Sequence, residues 1–171
     1  MSPKNCIGAG IVAASLCAAA GAGANLALAA DIVIAAESAV FIQAFARIGL
    51  IPDAGGTWFL PRQMGMAKAM GAALFADKIT AKQADDWGMI WEAVADDGFA
   101  DHWRARAAHL AKGPTAAYKG VKDTIRGSFD NTLDDQLLLE ARVQGACGKT
   151  LDFKEGVVAF LEKRPAQYEG R

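Results

Sequence analysis

Apolar positions change rhythm twice along this chain, and each change marks a change of structure. From Cys6 to Ala30 no charged residue occurs, with Lys4 standing just ahead. The run is mostly Ala and Gly, which partition weakly into lipid, and it contains Ser15, Asn25 and four glycines. It therefore reads as a buried strand, a glycine turn and a core helix, not as a signal peptide or a membrane span. The strand is expected over Ile7–Ala14, the turn at Gly21-Ala-Gly and a short helix over Ala24–Ala30. Asp31-Ile-Val-Ile-Ala-Ala and Ala39-Val-Phe-Ile-Gln predict two more strands, parted by Glu37-Ser38. A turn, Gly49-Leu-Ile-Pro-Asp-Ala-Gly-Gly, then leads into helices at about 55–64 and 66–76.

Beyond residue 79 the rhythm is helical. Thr80-Ala-Lys-Gln is a capping box, in which the hydroxyl accepts a backbone N–H three residues on and Gln83 reaches back. Thr132-Leu-Asp-Asp and Asp152-Phe-Lys-Glu are similar start signals, and Gly113-Pro114 separates two helices because Pro fits only a first turn. Across 98–112, Phe99, Trp103 and Leu110 share one face, while Arg104, Arg106 and Lys112 lie largely elsewhere. Leu133, Leu137 and Ala141 repeat the pattern. Such stripes are core or subunit-contact faces, and Phe99, Trp103, Leu133 and Leu137 are expected to need partner chains to cover them. The fold class is α/β. Strands dominate the first region, 1–97, and helices the second, 98–171, with no repeat or linker between them.

Composition narrows the function. At 53% hydrophobic and 22% charged residues the chain can bury a sizeable core, and a net charge of −1 recommends neither nucleic acid nor an acidic membrane as a partner. Cys6, Cys17 and Cys147 are odd in number and lack metal-ligand spacing. They are expected to be small buried residues in a reducing cytoplasm, and no metal site is expected. His102 and His109 read as surface residues.

Two places could carry chemistry. Gly21-Ala-Gly-Ala-Asn-Leu lacks the third glycine of a dinucleotide fingerprint. As a strand-to-helix turn it leaves N–H groups free to hold an oxyanion, or its small residues simply allow close packing. Asp53, between Pro52 and Ala54-Gly55-Gly56, is either an N-cap for the helix that follows or a base for abstracting a proton from carbon.

Larger stretches carry a resemblance. Ala19-Ala-Gly-Ala-Gly-Ala-Asn-Leu-Ala-Leu-Ala-Ala-Asp-Ile-Val-Ile-Ala, then Phe41-Ile-Gln and Gly49-Leu-Ile-Pro-Asp-Ala-Gly-Gly-Thr, resemble the central signature of the crotonase (enoyl-CoA hydratase/isomerase) superfamily. Ile79-Thr-Ala-Lys-Gln-Ala-Asp-Asp-Trp-Gly-Met-Ile and Glu155-Gly-Val-Val-Ala-Phe-Leu-Glu-Lys-Arg resemble its later helices, in the same order. The subgroup most resembled comprises isomerases of ring-epoxide and oxepin acyl-CoA compounds in phenylacetate catabolism.

The resemblance implies a crotonase-like ββα spiral lacking its N-terminal strands, followed by a helical oligomerisation region. It further implies an acyl-CoA substrate with coenzyme A as part of it, no separate cofactor, a cytoplasmic setting, and a homo-oligomer that is a trimer or dimer of trimers. The second oxyanion donor falls on the N–H of Ala22, with Gly23 adjacent; the first would lie in the family's N-terminal part. The two hydratase glutamates are replaced by Asn25 and Phe45, which are taken as substrate-binding positions. Asp53 matches the isomerase carboxylate, while Phe160 and Lys163 match residues that contact the CoA adenine end from a neighbouring subunit. Leu16-Cys17 departs from the family's usual Asn-Gly. The implied function is an acyl-CoA isomerase working through a thioester enolate. A hydratase and a catalytically incomplete interaction subunit are the alternatives.

Overall fold

The computed structural model describes residues 11–14 and 18–171; Cys6, Cys17 and the beginning of the expected Ile7–Ala14 strand lie outside them. The described chain divides into two compact units, one within Gly10–Arg104 and one within Ala105–Arg171.

The first unit runs β1 (Ile11–Ala14), β2 (Ala18–Ala20), α1 (Ala22–Leu28), β3 (Ile32–Ala36), β4 (Val40–Ile42), a 3₁₀ segment (Ala44–Ile48) and α2 (Gly56–Phe75). It continues through β5 (Ile79–Thr80), α3 (Ala81–Asp86) and β6 (Glu92–Val94) into α4 (Phe99–Ala111). Two small sheets result. In one, β3 lies between β1 and β6, all parallel, with Ile11 opposite Ile32 and Ile34 opposite Glu92. In the other, β4 pairs parallel with β2 and antiparallel with β5.

The central strand β3 explains why an uninterrupted apolar run was needed. Side chains alternate faces along a strand, so both faces of β3 are covered. Val33 and Ala35 enter the main core with Leu28, Phe41, Leu60 and Met89. Ile34 and Ala36 enter a second cluster closed by Phe99, with Trp103 packed alongside. The expectation that Phe99 requires a partner chain is thereby corrected, because β3 of its own unit covers it, while Trp103 packs beside it half-buried. Strands β2, β5 and β6 were not anticipated. Each has only two or three residues and is held by its neighbour in the sheet.

The expected pair of helices around residue 65 is one assigned helix, α2, broken at Gly65 (φ 77°, ψ 163°). The break falls where the two were expected to part. At α3 the capping box is complete: Thr80 Oγ1 accepts from Gln83 N at 3.2 Å, and Gln83 Oε1 accepts from Thr80 N at 3.0 Å. His102 is not a free surface residue, since its Nε2 lies 2.8 Å from Glu92 Oε1.

The second unit holds α5 (Thr115–Gly127), α6 (Leu133–Cys147) and α7 (Leu151–Glu162). A β-carbon on Gly120 would sit 2.7 Å from Val143 Cγ1, so α5 and α6 approach closely only because that side chain is missing. Thr132 caps α6 as expected, accepting from Asp135 N. Helix α7 differs. Its N-cap is Thr150, and Asp152, expected among the start signals, is instead buried inside the first turn. The Asp152 carboxylate accepts the N–H of Glu169 at 2.7 Å and that of Gly170 at 3.0 Å, tying the tail onto the helix. Cys147 is half-buried, not buried, and free.

Candidate functional site

The turn that follows the 3₁₀ segment has an unusual backbone. Gly49 is left-handed (φ 75°), and Leu50 N donates to Phe45 O at 3.0 Å, closing the segment. Ala54 (φ 48°) and Gly55 (φ 82°) are then left-handed in succession. Such a pair reverses the chain sharply, and the non-glycine member is held at a cost of about 1–2 kcal/mol. Gly56 N donates to Asp53 O at 2.8 Å, completing the reversal just where α2 begins.

This geometry settles one of the two readings of Asp53. The N-cap of α2 is Gly55, and no side chain caps the helix. Asp53 lies two residues further out with its side chain exposed, and its carboxylate takes no hydrogen bond or ion pair among the described residues. The capping role is excluded, and an uncommitted carboxylate stands on a constrained turn.

That turn is gripped from below. Asn25, wholly buried on α1, donates from Nδ2 to the backbone carbonyl of Asp53 at 2.9 Å. Its Oδ1 accepts from Nε2 of the equally buried Gln43 at 2.8 Å. The carbonyl accepts only, so the orientation of both amides is forced along the chain of bonds. Contact is close: a β-carbon on Gly56 would lie 2.3 Å from Asn25 Nδ2. Gln43 was not singled out as a site residue. The available signal was a polar amide ending an apolar strand, which is also what an exposed strand end looks like.

At the start of α1, Gly21 (φ 55°, ψ −130°) donates its N–H to Ile42 O at 2.9 Å, hanging the helix from β4. The Gly21 carbonyl accepts from Ala24 and Asn25. Helix bonding therefore begins at Ala24, and the N–H groups of Ala22 and Gly23 come before it. The Phe45 ring is buried against Gly21, about 3.6 Å from where that residue's β-carbon would stand. Ala22, Gly23, Asn25, Phe45 and Asp53 thus belong to one unit, joined through Gly21–Phe45 and Asn25–Asp53.

This arrangement has known relatives. The sequence model of the enoyl-CoA hydratase/isomerase family matches residues 7–171. The chain belongs to that family. A probable enoyl-CoA hydratase of Rhodobacter capsulatus is 65% identical over 94% of this chain and 63% of its own length. The 1,2-epoxyphenylacetyl-CoA isomerase of Escherichia coli K12 is 52% identical over 90% of this chain and 58% of its own length. Among solved structures, an enoyl-CoA hydratase from Polaromonas sp. JS666 superposes with a TM-score of 0.84 at 34% identity, over 89% of this chain and 59% of that one. The chain spans about 60% of the length of these relatives. The fold is thus the crotonase-type α/β fold expected from the sequence.

In this enoyl-CoA hydratase/isomerase family chain the remaining site candidates, Phe160 and Lys163, lie at the end of α7 in the second unit. Phe160 is 83% exposed. Lys163 is the C-cap in the left-handed conformation (φ 54°, ψ 40°), and its N–H donates to Phe160 O at 3.3 Å. Among the described residues no group of three His, Cys, Asp or Glu side chains is placed to hold a metal ion, and no helix is long and apolar enough to cross a membrane.

Proposed function

We propose that this chain acts in acyl-CoA isomerisation, with Asp53 as the base. The observation that carries the reading is the exposed Asp53 carboxylate, free of capping duty, on a turn whose main chain is fixed. Asp53 takes a proton from carbon next to the thioester carbonyl or along its conjugated system; a C–H bond breaks and a carboxyl O–H forms. The electron pair moves to the thioester oxygen, which the N–H of Ala22 helps to hold. Returning the proton to another carbon shifts the double bond; with a ring epoxide the enolate electron pair instead breaks an epoxide C–O bond, and the released oxygen takes the proton back from Asp53. One oxyanion donor contributes about 3–4 kcal/mol in a dry site. The substrate carries its own coenzyme A, Phe160 and Lys163 contact its adenine end in a neighbouring copy, and residues 98–171 form the oligomer surface in a trimer or dimer of trimers. The likeness to the Escherichia coli 1,2-epoxyphenylacetyl-CoA isomerase supports this substrate class.

Hydration is the second reading, favoured by the 65% identity to the Rhodobacter capsulatus protein. It needs an acid and a base at positions where this chain has Asn25 and Phe45, neither of which exchanges a proton near neutral pH. Asp53→Asn separates the readings. In the full-length protein, α-proton exchange and double-bond migration on an unsaturated acyl-CoA are expected to fall by about 10²–10⁴-fold with the melting temperature unchanged. Full activity in a normally stable variant, or water addition as the main reaction, would overturn the isomerase reading. A stable wild-type protein showing neither reaction would point to an interaction subunit.

A further inference from the structure

Resting on that reading, we infer that Asn25 is a positioning residue for Asp53, locking the base in place through the peptide carbonyl and not through contact with substrate. Three observations converge on it. Asn25 is wholly buried, and both ends of its amide are committed, one to Asp53 O and one to Gln43. The turn is seated directly on that amide at Gly56, with no room for a methyl group. The Asp53 carboxylate itself has no partner among the described residues to orient it.

The side chain of Asp53 is therefore aimed only by its own backbone, and the backbone is aimed by Asn25 and by Gly56 N. The arrangement is not one that stability alone would favour. Gln43 Oε1 is buried without a hydrogen-bond partner among the described residues, a penalty that an apolar pair in the same volume would avoid. What the amide pair supplies, and apolar residues cannot, is direction: a hydrogen bond fixes the carbonyl of Asp53 in orientation as well as distance. Misplacing a catalytic group by about 1 Å lowers rate by about 100-fold, and the loss falls on the chemical step.

The test uses the full-length protein with a 3-enoyl (β,γ-unsaturated) acyl-CoA, whose α-carbon carries the acidic protons, and its α,α-dideuterated form. Asn25→Ala removes the donor. Gly56→Ala leaves Asn25 in place but pushes its amide off the carbonyl, so the proposal stays testable should the first variant fold poorly. Both are expected to lower kcat by about 100-fold with KM within about twofold, and to raise the primary isotope effect on kcat as proton abstraction becomes rate-limiting. A merely structural role would reduce the number of active molecules and leave the isotope effect unchanged. Wild-type kcat in either folded variant, or a lowered kcat with an unaltered isotope effect, would overturn the positioning role. Asp53→Asn run alongside separates the two failures: an inactive Asp53→Asn beside a fully active Asn25→Ala sinks only the inference about Asn25. A fully active Asp53→Asn sinks the base assignment and this inference together.

Discussion

The carboxylate of Asp152, buried in the first turn of α7, accepts the backbone N–H of Glu169 at 2.7 Å. The same group takes Gly170 N, and Asp152 N donates to Arg171 O at 3.0 Å. One side chain thus satisfies two donors of a tail that has no secondary structure of its own. Asp152→Ala leaves those donors without their acceptor in a site shielded from water, at about 1–3 kcal/mol. The expected outcome is a lower melting temperature, with hydrogen exchange at Glu169 and Gly170 accelerated more than in the middle of α7. Unchanged protection of both amides would mean that the tail is held by something else.

Glu155, one turn further along α7, makes a second tie, and this one responds to acid. Arg164 Nη1 and Nη2 donate to its two carboxylate oxygens at 2.6 and 2.9 Å, and Gln167 N donates at 2.8 Å. The hydrogen bonds from Arg164, and then that from Gln167, hold the Glu155 carboxyl down from the ordinary 4.5 to about 2. A depressed carboxylate adds stability above its unfolded value and loses it as pH falls towards its folded value. The tie is therefore intact at neutral pH, weakens below about pH 4.5 and is gone below about pH 2. Amide exchange at Gln167, corrected for intrinsic rate, should rise across that window in the wild type. In Glu155→Gln it should be fast already at neutral pH.

Lys163 closes α7 in a conformation that favours glycine. Lys163→Gly relieves the left-handed strain and is expected to raise stability by up to about 1 kcal/mol, read as a higher melting temperature. The same change removes a cation that the proposed function assigns to coenzyme A, so KM for an acyl-CoA should rise. A more stable variant with unaltered KM would remove Lys163 from the substrate site.

The second unit leaves apolar side chains exposed on α5, on α6 and in the turn between them. Leu133 is 74% exposed and Leu138 71%, with Val121, Ile125, Phe129 and Leu137 also open to solvent. Exposed apolar side chains of this kind are what a subunit contact would cover. Sedimentation of the wild type is expected to show a trimer or its double, and Leu138→Glu to shift the protein to smaller species without changing its helix content. A well-folded wild-type monomer at micromolar concentration would contradict the oligomer.

The elements that depend on local signals were legible in the chain. The apolar run at 32–36, the Gly65 break and the Thr80 and Thr132 caps all appear where residue type and spacing place them, because strand alternation, left-handed backbone and first-turn hydrogen bonds are settled within a few residues. The family motifs were legible for a related reason: they are made of the glycines and prolines that sharp turns require. What sequence reading missed was non-local. Strand β6 has only three residues and exists because β3 lies beside it. Phe99 seemed to need a partner chain because its stripe is visible along the helix, whereas the cover, Ile34 and Ala36, lies more than sixty residues earlier.

The sequence by itself determined the α/β class and the family, and it singled out Asp53 as a candidate carboxylate. It left open whether Asp53 caps a helix or is free, since an Asp ahead of two glycines suits both. Only the tertiary structure decided this. The left-handed pair Ala54-Gly55 delays the helix start by two residues, so Gly55 and not Asp53 becomes the cap. It also revealed Asn25 and Gln43 beneath the turn, brought to Asp53 from 28 and 10 residues away by the packing of α1 against α2 and of β4 beside β2. No local pattern encodes such a bond. The direction of a side-chain amide is fixed by which carbonyl the fold places within reach, and that is settled only when the elements have packed.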